Sequence, residues 1–273
     1  MSEVLGFDAF SPAEIARRVE SVGETKARMG LWPLALLGVI AGVFIGLGAM
    51  LFVMVRSDAS LGFAASVFGG GLVFSLGLLM VVVAGAELFT GNNLLVMAWA
   101  DGRIGTAQVV RNWGVVCVAN LVGAAGLALL VHASGHTALN NGAVGEKVVQ
   151  IALVKQSLPL FTAFVRGVLC NILVCIAVWM AMAGRSVVDK AVAVVFPIMA
   201  FVAAGFEHSI ANMYLMPLGL LLQQTGAAGT ALPDLTLAGM LANWAAVILG
   251  NLVGGAGLVG LVYYSIYIRK SVV

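Results

Sequence analysis

The chain has 273 residues, of which 62% are hydrophobic and only 10% are charged. Soluble domains have roughly 45–50% apolar and about 25% charged residues, so this composition excludes a soluble enzyme and a disordered protein. The net charge of +2 is too small to argue for nucleic-acid binding. The length instead fits one bundle of membrane-spanning helices of roughly 20 residues each.

Residues 1–29 are predicted to form an amphipathic helix on the cytoplasmic surface. Ser11 is followed by a proline, a pair typical of a helix start. Ile15, Val19 and Val22 then fall on one face, which predicts packing beneath a bundle. A role in gating the inner mouth is the alternative.

Six apolar runs follow: 31–55, 62–98, 107–132, 159–183, 187–218 and 236–267. The second and fifth exceed the roughly 17–25 residues of a simple crossing, and polar residues interrupt them at 87–93 and 205–209. Each is therefore predicted to be a helix that breaks, passes through a short loop and resumes. Irregular backbone at membrane depth occurs only where protein buries it or where it lines a watery cavity, so the breaks are the first candidate site.

The distribution of basic residues predicts the orientation. With six crossings and a cytoplasmic N-terminus, ten basic residues are cytoplasmic: Arg17, Arg18, Lys26, Arg28, Arg103, Arg111, Arg185, Lys190, Arg269 and Lys270. Three are external: Arg56, Lys147 and Lys155. This asymmetry follows the positive-inside rule and predicts that both termini are cytoplasmic. The transmembrane domain is predicted to span 30–268, with a cytoplasmic tail at 269–273.

An internal repeat links the two halves of the chain. Residues 112–130 and 243–261 are identical at eleven of nineteen positions, including asparagine, tryptophan and glycine. The breaks also correspond, since Glu87 pairs with Glu207 and Asn92 with Asn212 at the same offset. Three crossings per half place the second half upside down, which predicts a 3+3 inverted repeat with paired broken helices near the membrane midplane.

Few polar groups lie at membrane depth, where such groups are costly and usually functional. His208 follows Glu207 at the second break, and its imidazole changes charge near neutral pH. Asn171 and Asn212 add neutral hydrogen-bond donors, and Thr90 adds a hydroxyl group from the other break. Together these residues predict a polar island in an apolar path.

Four charged residues lie near the path. Glu87 and Glu207 are expected to accept hydrogen bonds from freed backbone N–H groups, and for Glu207 the alternative is to orient His208 or to draw a cation toward the path. Lys155, at the outer edge of the fourth span, either attracts anions or extends its ammonium group to the interface. Arg166, inside that span, either pairs with an acidic residue or lines a subunit contact.

Four stretches around these groups resemble the formate/nitrite transporter family of pentameric anion channels. They are residues 74–78, 87–90, 170–175 and 205–213, and the last stretch is the most specific. The resemblance covers nearly the whole chain. It implies an all-α, aquaporin-like membrane fold with one pore in each protomer of a homo-pentamer.

The resemblance also implies roles for individual side chains. His208 and Thr90 would face each other at the pore centre, with Asn171 nearby and Glu207 and Asn212 in support. Lys155 would supply the positive charge of the outer vestibule. The outer constriction would consist of Phe74 and Phe201, and the inner one of Leu78, Leu88 and Phe89.

The resemblance implies transport of a small monovalent anion across the inner (plasma) membrane. Residues 212–217 are more similar to the formate branch of the family, so formate is favoured over nitrite or hydrosulfide. Formate would gain proton affinity as it enters the apolar ring, and His208, or a proton relayed through it, would complete its neutralisation. An aquaporin-like neutral-solute channel is the alternative of a different class, although no Asn-Pro-Ala motif occurs. No enzyme, cofactor or metal site is predicted, because the cysteines lack metal-type spacing and only one histidine lies within a span.

Overall fold

A computed structural model describes residues 9–226 and 234–269. All regular elements within these ranges are helical. The α-helices, numbered in chain order, are α1 (Pro12–Arg28), α2 (Leu31–Arg56), α3 (Phe63–Phe74), α4 (Leu76–Met80), α5 (Val96–Ala100), α6 (Thr106–Ala133), α7 (Ala143–Ser157), α8 (Leu160–Ala183), α9 (Val187–Ala203), α10 (Ser209–Gln224), α11 (Leu237–Leu252) and α12 (Val262–Tyr267). Further helical turns are the π-helical Val81–Gly85 and Val253–Leu261 and the 3₁₀ turns Gly91–Leu95 and His136–Ala138.

Long apolar helices dominate the part of the chain that the structure describes. Five helical stretches are long and apolar enough to cross a membrane: Leu31–Arg56, Phe63–Gly85, Thr106–Ala133, Leu160–Ala183 and Leu237–Tyr267. Large side chains such as Trp32, Phe63 and Phe161 are more than 70% exposed on them. An aqueous surface disfavours such exposure and lipid does not, so the prediction of an all-α membrane protein is confirmed. The 3+3 inverted arrangement of six crossings stays a prediction.

The bundle is organised around α10. Helix α2 packs along α6 and α8 packs along α11, while α10 contacts α2, α6, α7 and α11. Every residue from Ser209 to Met216 in α10 is buried. The beginning of α10 therefore lies deep inside the protein, which is where the second break was predicted.

The N-terminal helix is present as predicted and begins after Ser11. Glu14 accepts a hydrogen bond from the Ser11 N–H at 2.7 Å, which satisfies a backbone donor at the helix start. Ile15 and Val19 are buried and join the same apolar cluster as Leu94 and Met97. Helix α1 therefore packs beneath the segment that follows the first break.

The predicted break in the second apolar run is present. Helical turns end at Gly85, and after residues 86–90 the chain resumes with a 3₁₀ turn at Gly91–Leu95 and the five-residue α5. Lys155 lies in the last turn of α7, a separate helix, and Pro159 precedes the start of α8. The predicted tail lies outside the described residues apart from Arg269, as do the first eight residues of the N-terminal segment.

Candidate functional site

The two breaks have the same backbone geometry. Gly85 and Gly205 occupy equivalent repeat positions and have φ values of +82° and +69°. Glycine adopts this left-handed conformation without the steric cost that a Cβ atom imposes. At both positions the preceding helix ends and the chain turns back into the bundle.

A buried asparagine holds the first break. Asn120 donates from Nδ2 to the carbonyl oxygens of Gly38 at 2.7 Å and Glu87 at 2.9 Å. Its Oδ1 accepts the backbone N–H of Phe89 at 2.9 Å. Non-helical backbone inside an apolar bundle needs partners of this kind, because an unpaired buried amide is costly.

Asn251 holds the second break with the corresponding set of bonds. It donates to the carbonyl oxygens of Gly167 at 2.8 Å and Glu207 at 3.0 Å, and it accepts the N–H of Ser209 at 3.0 Å. Asn120 and Asn251 are the same position of the sequence repeat. The sequence analysis aligned the two asparagines but assigned them no function. The same polar residue at the same position of two apolar runs could have indicated one.

Each break also carries a lysine–glutamate–asparagine cluster. At the first, Glu87 Oε1 lies 3.0 Å from Lys26 Nζ, and Glu87 Oε2 accepts Asn92 Nδ2 at 2.7 Å. Asn92 also donates to Asn112 Oδ1 at 3.0 Å, and Lys26 donates to Asn92 Oδ1 at 2.9 Å. We define this group as the Lys26 cluster.

The Lys155 cluster at the second break repeats this arrangement, except that Asn212 Oδ1 has no partner among the described residues. Lys155 Nζ lies 2.9 and 3.0 Å from the two carboxylate oxygens of Glu207. Asn212 donates to Glu207 Oε2 at 2.7 Å and to Asn243 Oδ1 at 2.9 Å. Both glutamates therefore bind a lysine and an asparagine side chain, and the predicted hydrogen bonds from freed backbone N–H groups to the glutamates are not seen among the described residues.

Sequence reasoning missed Lys26 as a site residue. Lys26 and Lys155 both lie five positions before the helix that follows, since α2 begins at Leu31 and α8 at Leu160. That equal spacing was a usable signal. It was hidden because the two short helices that carry the lysines share little sequence.

His208 and Thr90 meet between the two clusters, as predicted. His208 Nε2 lies 3.1 Å from Thr90 Oγ1, and both side chains are buried. His208 Nδ1 accepts the backbone N–H of Ala211 at 3.1 Å and thereby caps α10. Because Nδ1 is an acceptor, the proton of the neutral imidazole lies on Nε2 and points to Thr90.

Asn171 lies beside this pair, but its amide group is already bound to the protein. Nδ2 donates to the Thr90 carbonyl at 3.2 Å, to Asn93 Oδ1 at 2.8 Å and to the Asn251 carbonyl at 2.7 Å. Its Oδ1 is buried without a partner among the described residues. Asn171 therefore ties the backbone of the first break to that of α11, and its free group is an acceptor rather than the predicted donor.

Aromatic rings enclose His208 on one side. The centroids of Phe74 and Phe201 lie 5.7 Å apart and are 6.5 and 5.8 Å from the imidazole centroid. Beyond them a cavity of about 510 Å³ contains both phenylalanines, His208, Lys155 and Glu207 in its lining. We define it as the Lys155 cavity.

A second cavity of about 320 Å³ lies against the other break and is named the Lys26 cavity. Leu78 and Leu88 line it together with Lys26, Glu87 and Asn92. Phe89 is buried but is not among the lining residues of this cavity, so of the three predicted inner constriction residues only the two leucines face it. The described residues thus place Phe74, Phe201 and His208 at one cavity and Leu78 and Leu88 at the other.

A family model described as formate/nitrite transporter matches residues 13–265. The chain is 39% identical to the formate channel FocA of Escherichia coli over 276 aligned positions, which cover 97% of each protein. It is 35% identical to a probable formate transporter of Methanothermobacter thermautotrophicus, over 97% of this chain and 100% of the relative.

Solved structures gave the same likeness. A pentameric formate channel with formate bound matches with a TM-score of 0.81 and 36% identity, covering 88% of this chain and 98% of that one. An FNT family ion channel matches with a TM-score of 0.82 and 29% identity, over 92% and 98% of the two chains.

Proposed function

This chain belongs to the formate/nitrite transporter family, and we propose from that premise that it carries formate across the inner (plasma) membrane as one protomer of a homo-pentamer. Family membership confirms the sequence-based prediction of a transporter rather than an enzyme. Formate is favoured over nitrite and hydrosulfide because the two relatives and one of the two structures described above are named for formate.

One observation carries the proposal. Thr90 contacts His208, which lines the Lys155 cavity together with Phe74 and Phe201, while Leu78 and Leu88 line the Lys26 cavity. We propose that this contact is the polar centre between the two cavities. A bare anion in such a constriction loses most of its hydration, which costs several kcal/mol or more. A neutral acid avoids most of that cost, so formate crosses together with a proton.

The hydrogen bonds of His208 determine how it assists. The Nε2–H group donates to Thr90 Oγ1 and can exchange this partner for a carboxyl oxygen of formate, whereas Nδ1 is engaged with the N–H of Ala211. Converting His208 to a cation requires Nδ1 to release that bond. We therefore assign His208 and Thr90 as a neutral hydrogen-bonding pair for the carboxyl group, while the proton enters with the anion from the cavity.

Both cavities are proposed to attract the anion. The Lys26 cavity is assigned to the cytoplasmic side with both termini, following the distribution of basic residues, and the Lys155 cavity to the outer side. Each lysine is paired with a glutamate and therefore does not act as an isolated charge. Each pair instead forms a dipole whose lysine N–H donors are directed at the path. The matching positions of the two lysines favour passage in either direction.

The test is formate flux in proteoliposomes between pH 5.5 and 8, with nitrite and hydrosulfide as competitors and glycerol as a neutral solute. We expect formate flux to rise as pH falls, and the His208→Gln variant to keep this pH profile at reduced flux. Gln retains an amide donor near the position of Nε2 and does not titrate. His208→Phe removes the donor and should lose roughly tenfold in flux.

Two results would contradict parts of the proposal. A flat pH profile in His208→Gln, with wild-type dependence intact, would show that the imidazole itself must carry the proton. Glycerol flux without formate flux would replace the anion transporter by a neutral-solute channel.

A further inference from the structure

Arg166 lines the Lys155 cavity and has no function in the mechanism above. It lies in the second turn of α8, and its carbonyl oxygen accepts the N–H of Glu207 at 3.3 Å. Its side chain is half-buried. Sequence analysis left it either paired with an acidic residue or in a subunit contact; no acidic residue within the described ranges pairs with it, and it lies in the lining of the Lys155 cavity.

The charges of this cavity are unequal in number. Its lining contains one carboxylate, that of Glu207, and four basic side chains: Arg56, Lys147, Lys155 and Arg166. Lys155 is neutralised by Glu207, which it binds through both oxygens. The isolated charge of the cavity therefore resides on the other three.

Arg166 differs from the remaining two in its bonding. Arg56 Nη1 donates to Ser66 Oγ at 3.0 Å, and Lys147 Nζ donates to Gln150 Oε1 at 2.8 Å. The guanidinium of Arg166 has no hydrogen bond and no ion pair with any residue in the described ranges. A half-buried cation inside a membrane span is costly when no carboxylate pairs with it. The N–H donors of Arg166 are therefore satisfied only when an anion binds to them transiently.

We propose that Arg166 is a binding residue for the entering substrate, and that it captures planar monoanions with two oxygen atoms before they reach the Lys155 cluster. This inference rests on the proposed function and names a determinant of its anion specificity. A guanidinium offers two parallel N–H groups that match the two oxygens of formate or nitrite. A hydrosulfide or chloride ion has one binding atom and gains only the charge.

The experiment compares Arg166→Lys and Arg166→Gln with Arg56→Gln, which removes one charge from the same cavity lining. Initial formate flux is measured against concentration in right-side-out and in inverted membrane vesicles, with size-exclusion profiles to verify assembly. For Arg166→Gln we expect the half-saturating formate concentration to rise about tenfold from the outer side only, with maximal flux within about twofold of wild type. Arg166→Lys should raise the half-saturating concentration of formate but not that of hydrosulfide. Arg56→Gln should change the half-saturating formate concentration less than twofold.

The outcomes separate this inference from the proposed function. Absence of formate flux in the wild type would refute both. Wild-type flux together with unchanged half-saturation in the Arg166 variants, or an equal change in Arg56→Gln, would overturn only the assignment of Arg166. If Arg166→Gln does not assemble, the formate–hydrosulfide difference in Arg166→Lys decides the question alone.

Discussion

The two breaks share one supporting framework but differ in the residues that this framework holds. Asn120 and Asn251 make the same three contacts, and the Lys26 and Lys155 clusters use the same residue types. One position after the glutamate, however, the first half has Leu88 and the second has His208. The residues that the two repeats share therefore hold an irregular backbone inside the membrane. The residues that differ between the repeats, such as His208, carry the proposed function.

The difference extends to the segments that follow the breaks. After the second break α10 begins at once, and His208 caps it through Nδ1, which directs Nε2 toward Thr90. After the first break a 3₁₀ turn follows, and the carbonyl of Asn92 accepts Trp113 Nε1 at 2.9 Å. The equivalent carbonyl of Asn212 lies in the first turn of α10, where helix geometry directs it to the next turn. Trp244 Nε1 accordingly lacks a partner among the described residues.

The largest effect is expected from the two asparagines that hold the breaks. Replacing Asn120 or Asn251 by leucine removes three hydrogen bonds and leaves two buried backbone groups of the break unpaired, a carbonyl and an N–H, which should cost roughly 2–6 kcal/mol. Thermal unfolding in detergent should show a similar loss for both variants. A loss of thermal stability in only one of the two variants would show that the two asparagines do not support their breaks equally.

A smaller and unequal effect is expected from the glutamates. Glu207→Gln leaves Lys155, whose side chain is 12% exposed, without its counter-charge, and this should cost about 3 kcal/mol. Glu87→Gln should cost about half as much, since the Lys26 side chain is 24% exposed and water reaches it more readily. Melting temperatures of the two variants measure this order, and equal losses would contradict it.

The N-terminal helix α1, which lies on the Lys26 side, carries a buried glutamate. Glu20 is fully buried on α1, lies 3.4 Å from Arg103 and near Asp101, and accepts no hydrogen bond within the described residues. Burial raises the pKa of Glu20 to about 7, from 4.5 in the unfolded chain. Between these pH values the folded protein binds more protons than the unfolded chain, so stability should fall as pH rises.

Glu20→Gln should remove this dependence and be more stable than wild type at pH 8. Unfolding temperatures at pH 5, 6, 7 and 8 test the effect, with Glu14→Gln on the exposed face of α1 as the control. An identical pH profile in wild type and Glu20→Gln would contradict it.

The smallest expected effect compares the two repeat tryptophans. Trp113→Phe loses the indole bond to the Asn92 carbonyl, whereas Trp244→Phe loses no such bond. The first should therefore be about 1 kcal/mol less stable than the second. Because both changes remove the same atoms from equivalent positions, each serves as the control for the other. Equal melting temperatures would show that the bond contributes nothing measurable.

Much of the site was predictable from the residues. The membrane class and both breaks agree with the structure. The contact between His208 and Thr90, which the family resemblance implied, is present, and their place in a pore stays a prediction. The relay through His208 stays a prediction, and the Nδ1 bond to Ala211 argues for a donor function instead. The functions of Lys26, Asn120 and Asn251 escaped prediction because each acts through backbone or side chains that lie distant in sequence.

By itself the sequence determined that the chain lies in a membrane, where it breaks, and which family it resembles, because these depend on composition, spacing and local motifs. Only the tertiary structure decided which donors and acceptors remain free. Asn171 proved to be bound to the protein on its donor side, and Arg166 proved to face the Lys155 cavity without a partner in the described ranges. A side chain's hydrogen bonds are completed by residues far along the chain, so its availability to a substrate follows from the fold.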